Sequence, residues 1–139
     1  HIGGSSRFPF GRVKLTLALH GSGVTGPDGV VEYVGPACGF LLTMSEQTVY
    51  FAGDTGLFGD MRLLGDDGVD IALLPIGDHY TMGIDDAAKA VGMLRPKVVV
   101  PMHFNAFDPI RKDPEVFAQK VAELGVQCEI LQPGADADL

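Results

Sequence analysis

An apolar run ends abruptly on an aspartate between two glycines, in the stretch VYFAGDTGLFGDM of residues 49–61. Because Gly and Asp are ordinary turn residues, one interpretation is that Asp54 belongs to a simple turn. The alternative is that Gly53 and Gly56 leave space for the Asp54 carboxylate to reach a group bound at the end of a strand. The other residues of the chain are needed to distinguish these two interpretations of Asp54.

Three histidines also follow strand-like apolar runs. His20 closes LTLALH, His103 follows VVVPM, and His79 comes shortly after IALLP. In α/β sheets, ligands gather at the carboxyl ends of strands. Histidine and carboxylate side chains bind zinc, manganese and iron and leave positions open for water, whose pKa the metal lowers so that hydroxide becomes available as a nucleophile. The pattern favours a histidine–aspartate metal site, in which the two oxygens of Asp54 could bridge two ions.

Other catalytic classes match the sequence less well. The segment HGSG at His20 resembles an oxyanion-hole loop of serine hydrolases, but the chain has no GxSxG motif. Neither cysteine lies beside a histidine in a nucleophile setting. GDTGLFGD lacks the GK[ST] of a phosphate-binding loop, and a calcineurin-like phosphoesterase would need GDxxD, whereas Leu57 stands three residues after Asp54.

Composition indicates a globular protein with no affinity for nucleic acid. The net charge of −8 argues against a nucleic-acid surface, which needs a basic face. No apolar run approaches the roughly 18 residues of a membrane span, and no signal segment is recognisable. Cys38 and Cys128 lie in strand-like runs without metal-binding spacing, so we expect free thiols and a reducing, cytoplasmic location.

The periodicity of the chain predicts an α/β fold, with strands first and a β-α-β-α-β order afterwards. Gly, Pro and Asp between the first two strands predict a loop over residues 21–36, and Asp113 before Pro114 predicts a helix start. Strands are expected at about 13–20, 37–44, 48–52, 70–75, 97–101 and 126–131, and helices at about 58–65, 85–94 and 114–124.

Four strings, AGDTGLFGDM, LLPIGDHYTMG, DDAAKAV and VVPMHFN, together resemble the metallo-β-lactamase superfamily. Within it, the chain is most similar to uncharacterised metal-dependent hydrolases of bacteria and archaea, from about residue 3 to residue 121. The resemblance implies an αββα sandwich with two divalent ions between its sheets, of which this chain would be the C-terminal part. By motif, His20 would bind the first metal, Asp54 would bridge the two, and His103 would bind the second.

The resemblance also implies a hydrolase that uses metal-bound hydroxide on a small-molecule ester, lactone, amide or phosphoester. Zinc is the first choice of metal, with manganese, iron and nickel as alternatives. Asp54 and His79 are the candidate catalytic residues. His79 lies at a variable position of its motif, where a substrate contact or proton donor at the rim and a mere surface histidine are equal alternatives.

One departure from the family is large, because its HxHxDH motif, which supplies the other metal ligands, is absent. We therefore expect residues 1–139 to be the C-terminal portion of one domain, completed by an N-terminal fragment or a separate chain that carries HxHxDH. Without that piece, an apolar face would need a partner, and a homo-oligomer is compatible with this. Two alternatives stay open: a catalytically silent half-domain or binding module, and a mononuclear site of His20, Asp54 and His103.

Overall fold

Nine strands and three helices make up the computed structural model, which describes all 139 residues. The strands are β1 (Ser5–Phe8), β2 (Gly11–Leu17), β3 (Gly23–Thr25), β4 (Val31–Tyr33), β5 (Cys38–Met44), β6 (Gln47–Phe51), β7 (Ile71–Pro75), β8 (Val98–Met102) and β9 (Gln127–Cys128). The helices are α1 (Met61–Asp66), α2 (Ile84–Leu94) and α3 (Pro114–Ala122). None of these helices has the length and hydrophobicity that crossing a membrane would require.

Seven strands form one sheet in the order β1-β2-β5-β6-β7-β8-β9. The pairs from β1 to β6 are antiparallel, and those from β6 to β9 are parallel. The predicted hairpin turns at Ser45 and Glu46, which have the positive φ values of 47° and 71° that favour a tight two-residue turn. Since β5 is antiparallel to both β2 and β6, strands β2, β6, β7 and β8 run in the same direction and end at the same edge.

The helix boundaries follow the predicted sequence signals closely. Asp113 caps α3 by accepting a hydrogen bond from the backbone N–H of Glu115 at 3.0 Å, and Pro114 begins the helix. Helix α2 ends before Arg95, which has a left-handed φ of 52° and is followed by Pro96. Helix α1 starts three residues later than predicted, at Met61, and residues 59 and 60 before it form a turn.

Three strands were not predicted. Residues 21–36 are not all loop, since β3 and β4 form a separate antiparallel hairpin there. Strand β1 was missed as well, and it pairs with β2 through Ser5 opposite Lys14. The last strand is much shorter than predicted and covers only residues 127–128, and β2 ends at Leu17, three residues before His20.

All three helices pack on one face of the sheet. The apolar sheet residues on this face are buried, and so are the apolar side chains of the helices that contact them, such as Phe117 and Val91. The buried sheet residues are Leu41, Tyr50, Ala72, Leu74 and Val99.

The alternate residues of the same strands lie on the opposite face and are also apolar. Two rows run across the strands in register, and most of their members are half-buried or exposed; Phe40 is 36% exposed and Phe51 37%. The first row is Val13, Leu42, Val49, Ile71 and Val98, and the second is Leu15, Phe40, Phe51, Leu73 and Val100. We call this second surface the open face.

Candidate metal site

Asp54 and His103 approach each other at the carboxyl edge of the sheet. Asp54 follows β6 and His103 follows β8, and the Oδ2 atom of Asp54 lies 3.5 Å from the Nε2 atom of His103. This distance is long for a hydrogen bond. Two ligands of one tetrahedral ion, each bound at about 2.0–2.2 Å, would lie roughly 3.4 Å apart. The spacing of this carboxylate and imidazole therefore fits a shared divalent cation.

The turn that carries Asp54 depends on Gly53 and Thr55. Gly53 has a φ of 66°, and a Cβ there would lie 2.9 Å from the backbone oxygen of Cys38, so only glycine fits. Gly56 has no such close contact, so the space beside Asp54 does not depend on it. The hydroxyl of the buried Thr55 accepts a hydrogen bond from the backbone N–H of Leu19 at 2.9 Å.

Thr55 is a site residue that the sequence analysis missed. Its hydroxyl and carbonyl connect the turn to two other segments, since the N–H of Met82 donates to the Thr55 carbonyl at 2.9 Å. The N–H of Gly56 in turn donates to the carbonyl of Leu19 at 3.0 Å. The one signal in the sequence is a threonine within an otherwise glycine-rich turn, where a side-chain hydroxyl can replace backbone hydrogen bonds.

His103 sits in an unusual backbone conformation. Its φ is 54°, and that of Asn105 is 59°, both in the left-handed region that costs non-glycine residues energy. A Cβ at Gly77 would collide with the carbonyl oxygen of His103, so the loop after β7 packs directly against it. The Nδ1 atom of His103 is buried and forms no hydrogen bond with any group of the protein.

His20 reaches the same edge of the sheet but does not join this pair. It is exposed, and its Nδ1 atom lies 2.9 Å from the carbonyl oxygen of Gly21. Across the chain, no three His, Cys, Asp or Glu side chains come close enough to hold one ion. The structure thus assembles Asp54 with His103 and leaves the mononuclear site of His20, Asp54 and His103 unassembled; His20 as a metal ligand stays a prediction.

His79 lies on the loop after β7, exposed and with a left-handed φ of 56°. Its ring meets the edge of Tyr80 with centroids 4.3 Å apart. The neighbouring Asp78 pairs with Lys112, whose Nζ lies 3.0 Å from Oδ2. The hydrogen bond from Lys112, followed by one from the backbone N–H of His79, lowers the pKa of Asp78. Nothing in the sequence pointed to this ion pair, because its members are 34 positions apart.

Similar proteins of known sequence are named metal-dependent hydrolases. A protein of Desulforamulus reducens, named a UPF0173 metal-dependent hydrolase, is 52% identical over 136 residues, which cover 96% of this chain and 60% of that protein. One of the same family name from Thermus thermophilus is 51% identical over 134 residues, covering 96% of this chain and 58% of that protein. This chain therefore spans about 60% of the length of these relatives.

A solved structure agrees with the sequence relatives. Igni18, described as a metallo hydrolase from the hyperthermophilic archaeon Ignicoccus hospitalis, superposes with a TM-score of 0.83 at 41% identity, over 97% of this chain and 57% of Igni18. The family described as the beta-lactamase superfamily domain matches residues 1–104. The chain belongs to the β-lactamase superfamily and has the metallo-β-lactamase fold that its motifs predicted.

Proposed function

We propose that this chain supplies part of the active site of a metal-dependent hydrolase whose substrate is a small-molecule ester, lactone, amide or phosphoester. The observation that carries the proposal is the 3.5 Å approach of Asp54 to His103 at the carboxyl edge of the sheet. A divalent ion bound there would act as a Lewis acid and make a water nucleophilic near neutral pH. The names of the relatives support the same class of activity.

Each predicted residue has a distinct part in this proposal. Asp54 and His103 would hold one ion together, and Asp54 would also bind a second ion, to which His20 would contribute its imidazole. Zinc suits these donors, and manganese, iron and nickel are the alternatives. His79, exposed on the adjacent loop, contacts the substrate or donates a proton at the rim. Two free cysteines suit a reducing cytoplasm.

The remaining ligands come, in this proposal, from a polypeptide segment that carries HxHxDH. Two observations support it. No group of three potential ligands assembles within the chain, and the open face presents ten apolar residues of five neighbouring strands, of which all but Val100 are half-buried or exposed. A segment that packs on the open face would also arrive beside the edge where Asp54 and His103 lie.

Metal analysis of the chain with and without that segment tests the proposal. For the completed protein we expect up to two zinc ions per site and hydrolysis of a general ester or phosphoester. Asp54→Ala should abolish hydrolysis and lower the affinity for metal at least tenfold to a hundredfold, because the variant lacks the bridging carboxylate. Asp60→Ala is the matched control, since Asp60 is an exposed aspartate whose side chain makes no capping hydrogen bond.

The outcomes separate the proposal from its alternative. Metal content that is the same in Asp54→Ala as in the parent would contradict the assignment of Asp54. A completed protein that binds metal in substoichiometric amounts and hydrolyses none of the substrates would favour the catalytically silent half-domain or binding module instead.

A further inference from the structure

Three rings form an exposed aromatic cluster near the candidate metal site. The centroid of Tyr80 lies 4.3 Å from that of His79 in an edge-on arrangement and 6.2 Å from that of Phe107 in a tilted one. Tyr80 is 53% exposed and Phe107 47% exposed. Large aromatic side chains that remain in water together, rather than singly, point to a surface that another molecule covers.

The cluster joins the two loops that surround the Asp54–His103 pair. Tyr80 belongs to the loop after β7, which packs against the His103 carbonyl at Gly77 and is hydrogen-bonded to the Asp54 turn through Met82. Phe107 lies four residues after His103, on the loop after β8. A molecule that contacts both rings is therefore held by the same loops that hold the metal-binding side chains.

Several contacts hold these two loops in place, and the loops in turn fix the positions of the exposed rings. Four non-glycine residues in them, Asp78, His79, His103 and Asn105, have φ values between 54° and 62°. Such conformations persist only where surrounding contacts enforce them. Lys112 supplies two of these contacts, because its ammonium pairs with Asp78 at 3.0 Å and its backbone N–H donates to the Asn105 side chain at 2.9 Å.

The charges around the rings are already paired with one another. Lys112 is bound by Asp78, and Arg111 lies 2.9 Å from Asp108. Each cation therefore has a carboxylate partner within 3.0 Å. Flat aromatic surfaces with neutralised surroundings bind apolar groups, and aryl groups best of all, through stacked or edge-on contacts.

We propose that Tyr80 and Phe107 form the wall of a substrate subsite that accepts an uncharged aryl group attached to the acyl or the leaving-group side of the scissile bond. This inference rests on the hydrolase function proposed above and narrows its substrate class. His79 packs edge-on against the Tyr80 ring, with the two centroids 4.3 Å apart.

The preference for aryl groups is measured by comparing aryl esters with an alkyl ester, using the chain completed by the HxHxDH segment. We compare kcat/KM for benzyl acetate and ethyl phenylacetate with that for ethyl acetate. The parent protein should prefer at least one aryl ester, and Tyr80→Ala and Phe107→Ala should each reduce that preference by about three- to tenfold. Tyr80→Phe keeps the ring and should retain the preference. Leu63→Ala removes a side chain that is 62% exposed on α1, outside the subsite, and should leave the rates for all three esters unchanged.

Direct binding separates a wrong subsite from a wrong reaction. If the completed protein hydrolyses none of the esters, the hydrolase proposal fails for this substrate class, and benzyl alcohol is then titrated while the ring protons of Tyr80 and Phe107 are followed by NMR. Concentration-dependent shifts of both rings, with none at Leu63, support the subsite. The proposal is overturned if the rings do not respond, if the parent has no aryl preference, or if both alanine variants lose activity equally on aryl and alkyl esters.

Discussion

The two faces of the central sheet are built from adjacent residues of the same strands, yet only one of them is covered. Tyr50 and Phe51 are neighbours on β6, and Tyr50 is fully buried under the helices while Phe51 is 37% exposed. Leu74 and Leu73 on β7 are divided in the same way, with Leu74 fully buried and Leu73 only half-buried. Strands β7 and β8 are apolar at every position and lack the alternation of polar and apolar residues that a sheet with one wet face shows. Their composition is that of a sheet made to be covered on both sides.

This difference bears on the site because the candidate metal ligands lie at the edge shared by both faces. On the helix-covered face, α2 and α3 pack against the strands, and Thr55 in the turn that carries Asp54 is buried. The chain thus has one face covered by helices and one whose apolar residues are mostly half-buried or exposed, with Asp54 and His103 at the edge that the two faces share.

The largest effect that tests the comparison is expected from a pair of leucines on β7. Leu74→Ala should lower the free energy of unfolding by about 2–5 kcal/mol, because it leaves a cavity in a packed core. Leu73→Ala removes the same side chain from the open face and should cost about 1 kcal/mol or less in this chain. Urea unfolding followed by circular dichroism measures both, with each variant serving as the control of the other.

Addition of the HxHxDH segment should make the losses in free energy of unfolding caused by Leu74→Ala and Leu73→Ala more similar. In the presence of the HxHxDH segment, Leu73→Ala should become more destabilising by about 1 kcal/mol or more, since its side chain is then buried. Equal costs for the two variants in the chain alone would mean that the two faces do not differ as described. An unchanged cost of Leu73→Ala after completion would mean that the segment packs elsewhere.

A second, smaller effect compares the two cysteines, which stand on opposite faces. Cys38 pairs with Leu17 in the same alternation as the open-face residues, whereas Cys128 pairs with the buried Val99. Burial raises the pKa of Cys128 to about 11, helped by the nearby carboxylates of Glu115 and Glu129. Only about one in a thousand of its thiols is then ionised at pH 8, and the thiolate is the reactive form.

A disulfide reagent should therefore label Cys38 at least tenfold faster than Cys128 at pH 8, as measured by mass spectrometry of the two peptides. The Cys38→Ser and Cys128→Ser variants assign each rate to its thiol. Addition of the HxHxDH segment should slow the labelling of Cys38 and leave that of Cys128 unchanged. Faster labelling of Cys128 would show that the helix-covered face is the more open of the two.

The second half of the fold was predictable from the sequence because its signals are local. The runs IALLP and KVVVP are continuously apolar, Asp113 and Pro114 begin α3, and Pro96 follows the end of α2. Strand β1 was not predictable, since its sequence SSRF has no strand pattern and it forms only by pairing with β2. The hairpin of β3 and β4 was not predictable either, because the glycines and prolines around its two strands indicate a loop.

The site was predictable in its residue types but not in its geometry. Strand ends indicated that Asp54 and His103 would share an edge, and the structure brings them to 3.5 Å. The left-handed backbone of His103 and the pairing of Asp78 with Lys112 depend on contacts between loops distant in sequence. Local patterns carry no information about such contacts.

The smallest predicted effect concerns a residue that belongs to neither face. Asp70 precedes β7 and accepts a hydrogen bond from the backbone N–H of Thr48 at 2.8 Å, while its other oxygen lies 2.7 Å from Nζ of Lys97. The hydrogen bond from Lys97, followed by that from Thr48, lowers the pKa of Asp70. Because the folded-state pKa is depressed, this carboxylate stabilises the fold above its unfolded pKa of about 3.9, and the contribution is lost as the pH falls through the folded value.

Asp70→Asn should therefore lower the free energy of unfolding at pH 7 by about 1 kcal/mol or less, since Lys97 is mostly exposed and water screens the pair. Urea unfolding at several pH values should show the gap between parent and variant shrinking between about pH 5 and pH 2. Asp60→Asn, at an exposed aspartate with no capping hydrogen bond, should show no such gap. The gap should also be the same with and without the HxHxDH segment, because Asp70 joins strand ends rather than supporting either face. A gap that widens in acid would contradict the ion pair, and one that changes on completion would show that covering the open face alters the strands themselves.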